Sequence, residues 1–549
     1  MTIKKITATL SSIFIFCSTV SAQQMHSFIN HQMSNAIEKD LYSFKSDFHT
    51  SVKPYRYDEV NQIAKIDSLN KLLQDSNRLY ILPNTWWAKA LIWSENKLFD
   101  EDLITIDSNK FKMRANLLLN LNLGKDFEND FNTWNSTRGY WLEGSIGKKF
   151  YFNSALYENQ ARLLPQERAY SNNSFVIPGQ GRFKLFKENA VDWGFTTGSI
   201  GYRPNSYFNL ELGHGKSFFG DGYRSLLLSD NASNSPFFKI ETNFWKMKYT
   251  ILYQSNNYIG FTDNGDRLFD SKYSVYHYLS WNVTKRFNLS LFENVTWGVS
   301  ETRGFDWNYL NPVVLMRSVE WQNGSSDRVL LGANSSFKVL NKTSVYGQFV
   351  LDDLNIAEFQ NMNGYWGNKF GYQFGLKSFD LFKIPGLNIQ SEYNAVRPYT
   401  YSHFDPLTAH TQLNQSLAHP LGANFREIVN FVRFHHKRHF IQLRYSYATF
   451  GLDQNGENYG GNIFISYNEN RAVIQDEESL YGHKIGQGLK TELSIFDVKY
   501  SYMVNPMANL LFEIGLTERN YKNAVTESKN RYFYIGVKTA LHNFYHDFL

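Results

Sequence analysis

The chain has 549 residues, with 56 Lys and Arg against 51 Asp and Glu, a net charge of +5 and a mean hydropathy of −0.43. So small a charge over this length argues against a nucleic-acid partner. With 45 Phe, 35 Tyr and 12 Trp the chain is strongly aromatic, yet no apolar run reaches the ~18 residues of a membrane helix.

The first 22 residues read as a secretory signal. Lys4 and Lys5 supply the positive region, Leu10, Ile13, Phe14, Ile15 and Phe16 the apolar region, and Val20-Ser21-Ala22 the small residues before cleavage. The mature chain is then expected to start at Gln23. Cys17 follows the bulky Phe16, which is wrong for a lipoprotein signal. Losing the signal removes the only cysteine, and with it disulfides, thiol catalysis and Cys-based metal sites.

From residue 23 to 110 the period is helical. Ile29, Met33, Ile37 and Leu41 recur at helix spacing, as do Ile63, Ile66, Leu69 and Leu73, with Pro54 and Pro83 as punctuation. This predicts a small periplasmic α-helical segment. From Phe111 to Leu549 the period becomes two. Phe370, Tyr372, Phe374 and Leu376 oppose Lys369, Gly371, Gln373, Gly375 and Lys377, and Phe208, Leu210 and Leu212 oppose Asn209, Glu211 and Gly213. Ala508–Thr517 and Arg531–Leu541 alternate in the same way. A greasy face opposite a face of Lys, Glu, Asn and Gln suits a barrel in lipid; a soluble sandwich or propeller also alternates.

Connection lengths separate those readings. Short turns are expected near Lys148-Lys149, Arg203-Pro204-Asn205, Trp245-Lys246, Lys285, Asn341-Lys342, His436-Lys437 and Asn505-Pro506. Long polar connections are expected near 123–137, 160–191, 214–236, 256–272, 298–327, 352–368, 396–425, 449–488 and 518–530, with Asn462–Tyr467 inside a loop. Strict alternation of short and long is the pattern of an outer-membrane antiparallel β-barrel, here of about 18 strands. Phe544, Tyr545 and Phe548 resemble the aromatic-ended terminal strand favoured by barrel-assembly machinery, an expected partner during biogenesis.

Several polar motifs fall in the long loops. Gly213-His-Gly-Lys216-Ser-Phe-Phe-Gly220-Asp221-Gly222-Tyr-Arg224 continues to Asp230-Asn231. It is followed by Tyr309-Leu-Asn311-Pro312 with Arg317 and Glu320, Tyr346-Gly-Gln348 with Asp352 and Asp353, and Arg397-Pro-Tyr399-Thr-Tyr-Ser-His403. Ala418-His419-Pro420-Leu-Gly422-Ala-Asn424-Phe425, Asn458-Tyr-Gly-Gly461, Tyr502-Met-Val-Asn-Pro506 and Asn543-Phe-Tyr-His-Asp-Phe548 complete the ordered set. The set resembles the capsule assembly Wzi family of outer-membrane proteins, and within it the RemB-like branch of gliding Bacteroidetes. The resemblance implies a cell outer-membrane location, an eighteen-stranded barrel occluded by folded-in loops, and surface or capsular polysaccharide as partner. The RemB-like branch implies instead a gliding-motility or adhesin-display role with protein partners; a diffusion pore is a third reading.

The chemistry of these motifs favours no enzyme. Gly-Lys-Ser at 215–217 lacks the upstream Gly of a P-loop, since Leu210 stands there. The closely spaced glycines permit a tight loop, and Asp221, Arg224 and Asp230 could pin it by charge-assisted hydrogen bonds. His403, His410 and His419 match no zinc spacing; His435, His436 and His439 read as a solvated basic turn. Asp352-Asp353 and Asp476-Glu477-Glu478 lack an EF-hand arrangement. No metal or cofactor is expected, and no serine nucleophile with an assignable base is visible. Trp307, Asn308, Tyr309, Trp321, Tyr365, Trp366 and Tyr399 lie in outward loops and form a candidate sugar-binding surface, aromatic faces meeting sugar C–H groups. The plainer reading of the same rings is interfacial aromatics with ordinary loop packing.

Overall fold

Alternation from Phe111 onward becomes an uninterrupted up-and-down meander in a computed structural model that describes residues 26–27, 37–64, 85–260, 269–312, 327–476 and 478–549. The first strands are β1 (Phe111–Asp126), β2 (Phe131–Ile146), β3 (Phe150–Arg162), β4 (Ala190–Tyr202), β5 (Phe208–Gly215) and β6 (Ser235–Phe244). Then come β7 (Met247–Tyr258), β8 (Asp270–Asn282), β9 (Phe287–Gly298), β10 (Arg328–Leu340), β11 (Thr343–Asp353) and β12 (Lys369–Ser378). The last are β13 (Leu387–Val396), β14 (Phe425–His436), β15 (His439–Leu452), β16 (Leu489–Asn505), β17 (Leu510–Lys522) and β18 (Glu527–Thr539). Each pairs antiparallel with its sequence neighbours, and β18 closes on β1 from Tyr532↔Asp126 to Lys538↔Asn120. The result is a closed eighteen-strand antiparallel barrel.

The pleat sorts the residues as expected. On β12, Phe374 is 63% exposed while Lys369, Gln373 and Lys377 are buried; on β5, Phe208 and Leu212 point outward while Asn209 and Glu211 point inward. Apolar side chains face out and charged ones face in, the reverse of a soluble fold and the arrangement of a barrel in lipid. No described helix is long and apolar enough to cross a membrane.

One end of the barrel carries tight turns, such as Trp245-Lys246 between Phe244 and Met247, and the other carries the long loops. These are the inner and outer ends of an outer-membrane barrel. Two connections differ from expectation. Residues 123–137 and 518–530 are not loops: β1 and β2 run on to Asp126↔Phe131, and β17 and β18 to Lys522↔Glu527. Above an apolar belt both faces of a strand meet water, so alternation fades although the ladder continues. The inner turn at 379–386 gave no clear signal, because Leu381, Phe382 and Ile384 carry apolar character through it.

Before the barrel, helices α1 (Tyr57–Ala64) and α2 (Trp86–Phe99) fall in the expected helical segment. Ile104–Asp107 does not: it is a strand pairing with Lys112–Ala115 of β1, extending the wall beneath the end of β18. The signal region and most of the expected helix positions, Ile29 and Met33 included, lie outside the described residues. The aromatic ending also departs from expectation. The last strand stops at Thr539, and Tyr545 and Phe548 are buried in the lumen against Tyr223, Val429 and Phe431.

Candidate functional site

The lumen is occupied by the chain itself. Residues 216–234 between β5 and β6 are almost wholly buried, and 397–424 between β13 and β14 are mostly so, with Phe404 exposed. Val52–Lys53 pairs antiparallel with Phe218–Phe219 from below. The two loops bind one another through Tyr401 Oη to the Leu226 carbonyl (2.7 Å), Ser229 N to the Leu417 carbonyl (2.7 Å) and Asn231 Nδ2 to the Ser416 carbonyl (3.1 Å). Phe219, Leu226, Leu227 and Leu228 pack with Tyr276, Tyr278, Tyr401 and Leu417 into an apolar core inside a polar wall.

Charged groups anchor that core to the wall. Asp221 accepts hydrogen bonds from Tyr42 Oη (2.8 Å), Thr50 Oγ1 (2.5 Å) and Asn334 Nδ2 (3.0 Å), joining the N-terminal segment to the loop. Arg224 reaches Glu427 of β14 at 2.9 Å and Asp547 at 3.1 Å, while His419 Nε2 meets the other Glu427 oxygen at 2.7 Å. Glu392 of β13 accepts from the backbone N–H of Tyr223 (2.8 Å) and Arg224 (3.0 Å). Asp230 accepts from Asn543 Nδ2 (3.0 Å) and Tyr545 Oη (2.8 Å), and Lys216 Nζ donates to its backbone carbonyl at 2.9 Å. Buried charges are costly unless paired and hydrogen-bonded, and here most find several partners.

Glycine matters where the loop presses on the wall. Gly220 has φ +150° beside Gln348, and a Cβ at Gly222 would collide with the Glu392 carboxylate and the Arg224 carbonyl. Gly213 and Gly215 end β5. Gly422, with φ +69°, and half-buried Pro420 shape the turn after His419, and Asn424 donates to the Gly451, Tyr459 and Gln487 carbonyls while accepting from Gly486 N. Asn424 thereby ties loop 397–424 to loop 453–488.

Burial dominates the electrostatics of the loop groups. It pushes the Lys216 ammonium down to about 8, against the pull of Asp230. The His403 imidazole falls to about 3, and those of His410 and His419 are also lowered, the last in spite of Glu427. Burial acts to raise the Asp547 carboxyl, but Arg224 and Arg444 outweigh it and hold the group below its usual value.

Above the plug, three outer loops gather aromatic rings. Trp366 lies 6.0 Å from Tyr399 edge-on, 5.2 Å from Tyr467 and 6.2 Å from Tyr365, which in turn is 6.0 Å from Tyr481. The Arg471 guanidinium sits 3.9 Å over the Trp366 ring and Lys369 Nζ 4.3 Å over Tyr467. A second group is separate. Trp307 is 75% exposed beside Phe305, whereas Tyr309 is fully buried, tilted against Trp297 at 4.7 Å and donating to Asp327 at 2.6 Å.

The fold built this way has known counterparts. The chain is similar to Wzi from Escherichia coli, an outer membrane protein involved in group 1 capsule assembly and described as a carbohydrate-binding β-barrel. The match has 12% identity and a TM-score of 0.53, and covers 95% of this chain and 100% of that one. Weaker matches are Pseudomonas aeruginosa OprD, at 11% identity and TM-score 0.40 over 80% of this chain and 96% of that one, and Acinetobacter baumannii OccAB2, at 10% and 0.43 over 78% and 97%. At such identity the likeness to Wzi shows a shared fold. No family model and no curated protein sequence matches the chain.

The expected sugar-binding surface is thus divided. Tyr365, Trp366 and Tyr399 come together, but Tyr399, like Tyr309, is buried and offers no ring face to a ligand. Trp307 and Asn308 are exposed in the other group, with Asn311 and Pro312 exposed nearby; Trp321, Arg317 and Glu320 lie outside the described residues. Tyr467, Tyr481 and Arg471 were missed: they sit in an irregular stretch with no periodicity, and only the fold brings them to Trp366. The acidic pairs have structural partners: Asp352 binds Arg328 at 3.0 Å, and Asp476 caps the Leu480 and Tyr481 N–H groups.

Proposed function

We propose that this chain resides in the outer membrane and binds or organises surface polysaccharide through its outer loops, without enzymatic chemistry. One observation carries the reading: rings from three loops meet over the part of the lumen filled by residues 216–234 and 397–424, so the loops form a fixed platform. Half-buried Tyr365, Trp366, Tyr467 and Tyr481 offer aromatic edges and faces to sugar C–H groups, with Arg471 and Arg397 beside them for acidic substituents. The likeness in fold to a carbohydrate-binding barrel supports the same reading. The finer placement in a RemB-like gliding branch rests on motif resemblance alone.

The test is saturable binding of the folded, detergent-solubilised chain to the native cell's surface polysaccharide. Trp366→Ala and Trp307→Ala variants should weaken it at least several-fold while the barrel stays folded. Absence of binding to any polysaccharide fraction would transfer the role to motility or adhesin display. Steady stepwise conductance in a planar bilayer would instead favour a pore, for which an eighteen-strand barrel has the diameter.

A further inference from the structure

The plug leaves one part of the lumen hollow. Between the seam strands β1–β4 and β16–β18 lies a cavity of about 370 Å³, within the ~300–1,000 Å³ typical of small-molecule sites. Its two walls differ in chemistry. The β1–β2 wall is uncharged, offering the amides of Asn120, Asn122 and Asn135 and the hydroxyls of Thr133 and Thr137. An amide presents a donor and an acceptor side by side, which suits a hydroxyl that does both. Trp193 and Tyr532 add aromatic surface.

The opposite wall is charged, and most of its cations are paired. Glu513 is shared by Lys538 (3.0 Å), Lys499 (3.8 Å) and Tyr534 Oη (2.7 Å), and Asp497 receives Thr517 Oγ1 at 2.9 Å and lies 4.0 Å from Arg444. The lining carboxylates Asp547 and Glu167 are held by Arg224 and Arg444, and by His546, respectively. One lining guanidinium, that of Arg162, remains without a carboxylate partner among the described residues, packed over the Phe131 ring at 4.2 Å. Arg519 is taken up by the Leu549 oxygen and by Asn530 Oδ1 (3.2 Å). Arg162 stands at the outer end, closing β3, and Phe131 lies opposite Asp126, the last residue of β1, in the register. The Asp126 carboxylate is itself taken up by Asn129, Asn530 and the Glu128 and Arg531 N–H groups.

We propose that the seam cavity binds an acidic saccharide unit, its carboxylate toward Arg162 and its hydroxyls along the amide wall. The ring faces meet Tyr532. This site shares no residue with the outer aromatic platform, so the two readings stand or fall separately.

The experiment is calorimetric titration of the folded full chain with digalacturonate, and with galactobiose as the uncharged counterpart. Digalacturonate should bind measurably more tightly. Arg162→Gln should weaken it at least tenfold and leave galactobiose unchanged, and Asn122→Trp, which fills the cavity, should abolish both. Trp366→Ala should leave both intact. The proposal is overturned if wild type fails to bind digalacturonate, if Arg162→Gln binds it as wild type does, or if a folded Asn122→Trp variant still binds. Loss of binding in Trp366→Ala alone would move the sugar to the outer platform, sinking the cavity but not the surface function. Should Asn122→Trp not fold, Arg162→Gln decides.

Discussion

Two halves of one lumen, walled by strands of the same alternating pattern, end in opposite states. From β6 to β14 the interior is filled by residues 216–234 and 397–424, and its charges mostly meet across short bonds. At the seam, β1–β4 and β16–β18 enclose open space lined by polar and charged groups. The cause lies in the outer connections. Beside the seam, residues 127–130 and 523–526 are tight turns with nothing to fold inward, and what reaches that side is residues 540–549 and the stretch around helix α3 (Pro165–Ser174), through to Ile177 and Gln180. Wall chemistry therefore does not decide whether a barrel is plugged; loop length beside each strand pair does.

The largest expected effect belongs to the filled half. Arg224→Ala leaves Glu427 and Asp547 buried and short of a partner, with an expected loss of about 3–5 kcal/mol, read as a shift in the unfolding midpoint in denaturant. At the seam, Lys538→Met leaves Glu513 with Lys499 and Tyr534 and with access to the cavity, and the expected loss is below about 2 kcal/mol. Equal losses at both positions would erase the distinction between the halves.

Acid should separate them next. His403, His410 and His419 of the filling loop have imidazoles lowered by burial, His403 to about 3. Between about 6.5 and that value the unfolded chain takes up protons that the folded chain does not, so stability falls as pH falls. His403 costs about 1.4 kcal/mol per pH unit in that window, and His410 and His419 act in the same direction. The seam contributes only His542 in this way, also lowered to about 3 by burial first and Lys216 second. Hydrogen exchange at pH 5 should therefore open residues 397–424 before the seam strands; the reverse order would contradict the assignment.

How far this was legible follows from the range of each signal. The eighteen strands came through because period-two alternation is local, as in Lys369–Lys377, where every second side chain declares its face. Ile104–Asp107 was lost because so short a strand carries too few alternations to oppose a helical reading. The pinning groups were visible as types but not as pairs: Asp221 and Arg224 stand in a motif, yet their partners Tyr42, Glu427 and Asp547 lie far along the chain. Inward pointing is written in the pleat; which charge meets which is set by barrel closure. The hollow seam was hidden for a related reason. Polar runs at 123–137 and 518–530 have the composition of loops, and only their register shows that no loop is there.

The finest contrast concerns single hydroxyls. Ser225 is fully buried in the filling loop, donating to the Phe219 carbonyl at 2.6 Å and accepting from Leu227 N at 3.1 Å. Ser225→Ala strands the Leu227 N–H and leaves the Phe219 carbonyl to Gln348 Nε2 alone, and the expected loss is about 1–3 kcal/mol. Thr517 makes one bond to Asp497, at 2.9 Å, on the cavity wall. In Thr517→Val a water in the cavity can take over the bond to Asp497, nearly as well as the hydroxyl did, so the loss should be about 0.5 kcal/mol. Denaturant midpoints of the two variants measured side by side decide the matter: a Thr517→Val loss as large as that of Ser225→Ala would mean the seam is dry and packed, and the cavity closed to any polar solute.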